Sequence, residues 1–173
     1  SIRRQRQMCI RDRYGTVKHF PGHGGTSGDS HDGAVSTDKT LEELMAEELV
    51  PFQSAIDGGV NFVMVGHISA PNVTGDNAPA TLSKVLITDV LRGQMGYNGI
   101  VITDAMNMEA ITGFYNSDKA AVLAVTAGAD MILMPADYNT AYTGILNAVN
   151  DGTITEERIN ESVTRIVKAK LAM

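Results

Sequence analysis

VNFVMVGHI, residues 60–68, is too uniformly apolar for a strand with one wet face, and reads as a strand buried on both. GIVITDAMNM, residues 99–108, repeats the theme, and ADMILM, residues 129–134, repeats it again before Pro135. Toward the N-terminus, Thr16–Phe20 is a shorter strand candidate. Between these runs the period changes. Thr40 and Glu43 form a capping box ahead of Leu41, Leu44, Met45, Leu49, Phe52 and Ile56, whose spacing predicts a helix bent at Pro51 and stopped by Gly58 and Gly59. Ser83 caps a second helix carrying Val85, Leu86, Val90 and Leu91, closed by Gly93 or Gly96. Ser117 opens an alanine-rich third, and residues 139–150 and 155–171 supply two closing helices.

Strand and helix alternate four times, so a parallel α/β sheet with helical crossovers is the economical fold. Four units do not close an eight-stranded barrel, which typically takes about 250 residues. Periodicity therefore leaves a small open sheet and half a barrel both standing.

At 173 residues and 43% hydrophobic, the chain suits one domain of ordinary size. The net charge of −6 is unevenly spread. Residues 1–13, SIRRQRQMCIRDR, hold five of the 14 basic residues and one of the 20 acidic ones, leaving nine basic against nineteen acidic in residues 14–173. An acidic folded part argues against nucleic acid or an anionic membrane as the main partner. The basic leader lacks aromatic residues, a helical apolar stripe and a signal-peptide core, so it is expected to be a non-native stretch joined to a domain at 14–173. Cys9 is the sole cysteine, which excludes an internal disulfide and a zinc site built of thiolates. Without a run of 18 apolar residues, no membrane span is expected. The compartment stays open between the cytoplasm and an extracellular or lipid-anchored location.

KHFPGHGGTSGDSH, residues 18–31, gathers three of the four histidines into a glycine-rich stretch that can build almost no core. Further polar residues fall at the C-terminal ends of the expected strands: Lys18 and His19 after the first, His67 after the second, Asp104 after the third. In parallel α/β folds that edge is where sites are built. Asp104, directly after IVIT, is either an emerging reactive carboxylate or the cap of the next helix. Asp29, two residues before His31, can accept from one imidazole nitrogen and leave the other for proton transfer. His19 and His23 have H-x3-H spacing, but Pro21 and Gly22 between them break the helix that such a metal motif needs. No metal or other cofactor is therefore expected, with a metal-dependent hydrolase using His19, His23, His31 and a carboxylate as the alternative. Lys18 can serve as a Schiff-base lysine or, more economically, as a contact to a substrate hydroxyl. His67 is either a satisfied histidine at a strand end or a site residue. The nine methionines read as core filler.

KHFPGHG, DSH, MVGHI, PATLS, GIVITDAMNM and AGADMILMP, in this order and spacing, resemble the catalytic barrel of glycoside hydrolase family 3, and most of all its bacterial β-N-acetylglucosaminidase branch. The resemblance runs from about Val17 to the C-terminus and implies the C-terminal half of a TIM-type (β/α)8 barrel. It implies a retaining glycosidase that releases terminal β-linked N-acetylglucosamine from a glycan or muropeptide. Asp104 would be the nucleophile of a covalent glycosyl-enzyme, and His31 the general acid/base oriented by Asp29. Lys18 and His19 would hold sugar hydroxyls, with His67 as a further substrate-binding residue. The departures are specific. The family's upstream strands supply an aspartate and arginines to the same sugar, and this chain contains neither. Gly25 stands where the branch often has aspartate, which is expected to leave the loop less anchored, and the second domain of some members is missing. Half a barrel leaves two sheet edges and an apolar inner face, so the chain is expected to pair with a second copy as a homodimer, to aggregate or to stay loosely packed, and a non-catalytic sugar-binding remnant is a third reading.

Overall fold

A computed structural model describes residues 14–26 and 35–172. The expected leader at 1–13 lies outside the described residues, as do Asp29 and His31 within 27–34. The apolar runs form a parallel sheet of β1 (Thr16–Phe20), β3 (Phe62–Val65), β5 (Ile100–Ala105) and β6 (Met131–Leu133), in that spatial order. Two very short strands, β2 (Val35–Ser36) and β4 (Ile68–Ser69), pair parallel beyond its C-terminal edge. Nothing in the sequence period announces them, because two residues carry no alternation.

Crossover helices cover one face of the large sheet. Thr40 caps α1 (Leu41–Ala46) with the reciprocal Thr40–Glu43 bonds of a capping box. The single helix predicted over 41–56 is two, since α2 (Val50–Asp57) starts afresh after Leu49. Pro51 does not bend a helix here; it sits in the first turn of α2, where its missing N–H has no partner to lose. After the short α3 (Pro71–Thr74) and a tight turn at Ala80–Leu82, α4 (Val85–Gln94) returns to β5. Its hydrogen bonding is wide, ending in Met95 N–H to Val90 C=O. Then α5 (Glu109–Thr112) and α6 (Ser117–Ala127) lead to β6, while α7 (Tyr138–Asn150) and α8 (Glu156–Leu171) close the chain.

The core lies between helices and sheet. Val63, Val65 and Val101 pack with Leu44, Leu49, Phe52, Leu86, Val90 and Leu91, and the Phe20 and Phe52 rings meet edge to face at 5.5 Å. The reading of β3 as buried on both faces is corrected by this arrangement. Val63 and Val65 are fully buried toward the helices, whereas Phe62 and Met64 point the other way and are only half-buried. Ile102 and Met131 share that concave inner face. No second layer covers it among the described residues.

At the N-terminal edge of the strands Asp130 ties the closing helix to the sheet. Its Oδ2 accepts from Arg92 at 2.7 Å and from the Val101 N–H at 2.9 Å, and its Oδ1 from Ser162 at 2.7 Å and Arg165 at 3.0 Å. The carboxylate is 0% exposed. Burial pushes its pKa up, and Arg92, Ser162, the Val101 amide and Arg165 together overcome this and hold it below the usual carboxylate value. This end of a barrel is where stability rather than chemistry is expected.

Candidate active site

Two register irregularities build the opposite, C-terminal edge. On β1, Val17 pairs with Val63 and Phe20 with Val65, so Lys18 and His19 together oppose Met64. On β5, Ile102 pairs with Met131 and Ala105 with Leu133, so Thr103 and Asp104 together oppose Ile132. Such bulges re-aim side chains that a regular strand would send to alternate faces. The Thr103 hydroxyl spans the second one by accepting from the Leu133 N–H at 3.0 Å.

His19 and Asp104 meet as a result. His19 Nε2 stands 3.6 Å from Asp104 Oδ2, longer than a hydrogen bond. The two side chains are 28% and 16% exposed, reachable by a ligand but substantially removed from water. The other carboxylate oxygen, Oδ1, accepts from the Ala105 N–H at 2.8 Å. Asp104 therefore caps no helix: α5 begins five residues later, and Met108 occupies its N-cap. Lys18 is exposed beside His19 at the same edge. Gly66 makes room for this arrangement, since a Cβ there would lie 3.0 Å from His19 Cβ.

His67 is brought to this edge as well, yet it is 1% exposed. Its Nδ1 lies 2.8 Å from Thr81 Oγ1 and its Nε2 2.9 Å from the Ala105 carbonyl oxygen. Burial holds its pKa below the ordinary value of 6.5, more than Ala105 and the Asp104 charge raise it. Sequence reasoning missed Gly66, Thr81 and Thr103. The strings MVGHI and PATLS contained the signal, but only the fold joins Thr81 to His67.

The described start of the glycine-rich stretch packs closely over Glu48. Glu48 sits beneath it, so a Cβ at Gly22 would come 2.8 Å from Glu48 Cβ, and one at Gly25 would fall on the Glu48 carboxylate. Lys39, on the far side of the 27–34 segment, holds that carboxylate at 2.8 Å and Glu47 at 2.7 Å. The Lys39–Glu48 pair fills the space an aspartate at position 25 would use.

A cleft of about 560 Å³ runs beside the site, walled by His67, Ser69, Asn77, Pro79, Phe114 and Tyr115. A larger one, about 880 Å³, lies at the N-terminal edge against α8 and holds none of the strand-end residues. Neither cleft is lined by Lys18, His19 or Asp104. Among the described residues no group of three His, Cys, Asp or Glu side chains is placed to hold a metal ion.

Residues 5–169 match the sequence profile of the glycosyl hydrolase family 3 N terminal domain. The chain belongs to glycosyl hydrolase family 3. Within the family it is similar to a β-hexosaminidase of Chromobacterium violaceum, 41% identical over 117 residues, which cover 68% of this chain and 32% of that protein. Its fold is similar to that of a family 3 β-N-acetylglucosaminidase from Paenibacillus sp. str. FPU-7, with TM-score 0.92 and 43% identity over 96% of this chain and 32% of that one. It is also similar to the β-glucoside phosphorylase BglX bound to 2FGlc, with TM-score 0.90 and 29% identity over 96% of this chain and 31% of that one. The chain thus spans about a third of the length of these relatives. The mixed α/β architecture with its parallel sheet agrees with the barrel-type catalytic domain of family 3.

Proposed function

We propose that this chain carries the reactive edge of a retaining β-N-acetylhexosaminidase, acting on terminal β-linked N-acetylglucosamine in a glycan or muropeptide. The observation that carries the reading is the Asp104 carboxylate, held by the Ala105 amide on one oxygen and facing His19 with the other. A nucleophile needs a rigid seat and an accessible lone pair, and a bulged strand end supplies both.

In the first step Asp104 attacks the anomeric carbon, the bond from that carbon to the aglycone oxygen breaks, and the oxygen leaves with the proton of His31. In the second, His31 takes a proton from water, the water oxygen attacks the same carbon, and the Asp104 ester bond breaks to restore the carboxylate. Two inversions give net retention. Lys18 and His19 hold hydroxyls of the sugar at the cleaved bond. The roles of His31 and Asp29 rest on the family resemblance of DSH alone. Remaining sugar contacts belong to barrel strands that the longer relatives carry and that a barrel-complete protein, this chain with those strands restored upstream, would supply.

The test is the stereochemistry and identity of the first product from an aryl β-N-acetylglucosaminide, followed by proton NMR in the barrel-complete protein. Initial appearance of the β-anomer of the free sugar is the expected result; initial α-anomer would remove the double displacement. A second acceptor has a specific support in the similarity to the β-glucoside phosphorylase. An imidazole acid/base does not repel an anion as a second carboxylate does. A sugar phosphate formed in phosphate buffer would therefore identify a phosphorylase with the same Asp104 chemistry.

A further inference from the structure

Both ring nitrogens of His67 are committed to the protein, and one of them grips the residue that holds Asp104. A carbonyl oxygen can only accept, so the 2.9 Å contact to Ala105 puts the proton on Nε2. Burial keeps the ring neutral, so Nδ1 accepts from the Thr81 hydroxyl at 2.8 Å. Thr81 is 0% exposed, in the tight turn at Ala80–Leu82. The tautomer is thus fixed by a donor on one segment and an acceptor on another.

Residue 105 is held from both sides. Its N–H donates to Asp104 Oδ1 at 2.8 Å, and its carbonyl takes the His67 proton. The next amide, Met106 N–H, is bonded to the Leu133 carbonyl at 2.9 Å. Without His67 the Ala105 carbonyl would keep only the longer bond from the Met108 N–H at 3.2 Å, and the peptide after the β5 bulge would be held less firmly. A sugar hydroxyl could bond His67 only by displacing Ala105 or Thr81.

We propose that His67 is a positioning residue for the glycosyl transfer assigned to Asp104: by fixing Ala105 it keeps Oδ1 occupied and presents Oδ2 as the attacking oxygen. The inference rests on the nucleophile reading above. Its action goes through the backbone, without substrate contact.

The test follows covalent labelling of the barrel-complete protein by a 5-fluoro N-acetylglucosaminyl fluoride, in which the Asp104 carboxylate displaces fluoride and the adduct is read by intact mass. His67→Phe keeps the ring and drops both hydrogen bonds, and its maximal labelling rate is expected to fall roughly 30- to 100-fold with the half-saturating concentration unchanged. His67→Gln restores a donor near Nε2 and is expected to recover most of that rate. Should His67→Phe fail to fold, Thr81→Val removes the hydroxyl that sets the tautomer, and a fall of roughly tenfold in rate is expected. Folded His67→Phe that labels as fast as the parent, a loss confined to the half-saturating concentration, or Thr81→Val indistinguishable from the parent would each overturn the inference. A parent that never labels would instead overturn the nucleophile reading on which it stands.

Discussion

His19 Nε2 and Asp104 Oδ2 stand 3.6 Å apart although β1 and β5 are not neighbours in the sheet, β3 lying between them. Strands two places apart are separated by roughly 9.5 Å in a flat sheet. Side chains bridge that distance here where both strands are irregular at these residues. If His19 binds a sugar hydroxyl beside Asp104, His19→Ala in the barrel-complete protein is expected to lower kcat/KM roughly 3- to 10-fold, the worth of one hydrogen bond. Steady-state kinetics on an aryl glycoside would show it.

Gly66 tests the same geometry without touching a polar group. A methyl at this position meets His19 Cβ at 3.0 Å, and the position is fully enclosed. Gly66→Ala is expected to move the imidazole by a few tenths of an ångström and raise KM while the chain stays folded. Parallel measurement of KM and of the circular dichroism spectrum checks both halves of that statement.

Asp130 governs stability rather than turnover. Asp130→Ala would leave Arg92 and Arg165, whose side chains are 14% and 24% exposed, without their shared carboxylate. The expected cost is about 3–5 kcal/mol, read as a lower urea midpoint. Because the folded carboxyl titrates below its ordinary 3.8, this contribution is full above that pH and is lost as pH falls through the folded value. Asp130→Ala should therefore flatten the acid limb of the stability curve below pH about 4.

His67 sets a second pH window. Its folded pKa is depressed from 6.5 by burial, so the unfolded chain takes up a proton first as the pH drops. The stability from the neutral ring is complete above 6.5 and declines below it, by at most about 1.4 kcal/mol per pH unit, until the folded ring titrates. Urea midpoints at pH 7.5, 6.0 and 5.0 are expected to fall more steeply for the parent than for His67→Gln. Equal slopes would show that the ring is not held neutral.

Much of this architecture was legible because burial and period leave simple marks. The runs at 62–65, 100–103 and 131–133 are apolar because at least one face of each is turned away from water, and the second leads directly into Asp104 at the open edge. Thr40 and Glu43 announced their helix start through chemistry confined to four residues. What stayed hidden depends on pairs distant in sequence. The bulges opposite Met64 and Ile132 exist only relative to neighbouring strands. His67 reads the same whether it faces sugar or Ala105, and its partner Thr81 comes from a turn fourteen residues away. The close approach of Glu48 to Gly22 and Gly25 likewise exists only once the fold brings residues more than twenty positions apart together.

The central claim is that Asp104 forms the bond to the sugar. The most direct measurement is turnover of an aryl β-N-acetylglucosaminide by the barrel-complete protein and its Asp104→Gly variant, with and without azide. Turnover is expected to drop at least about 10³-fold on substitution and to return with azide as an α-glycosyl azide, formed by a single inversion in the space the carboxylate left. Asp104→Gly that turns over like the parent, or azide rescue yielding the β-azide, would contradict the account.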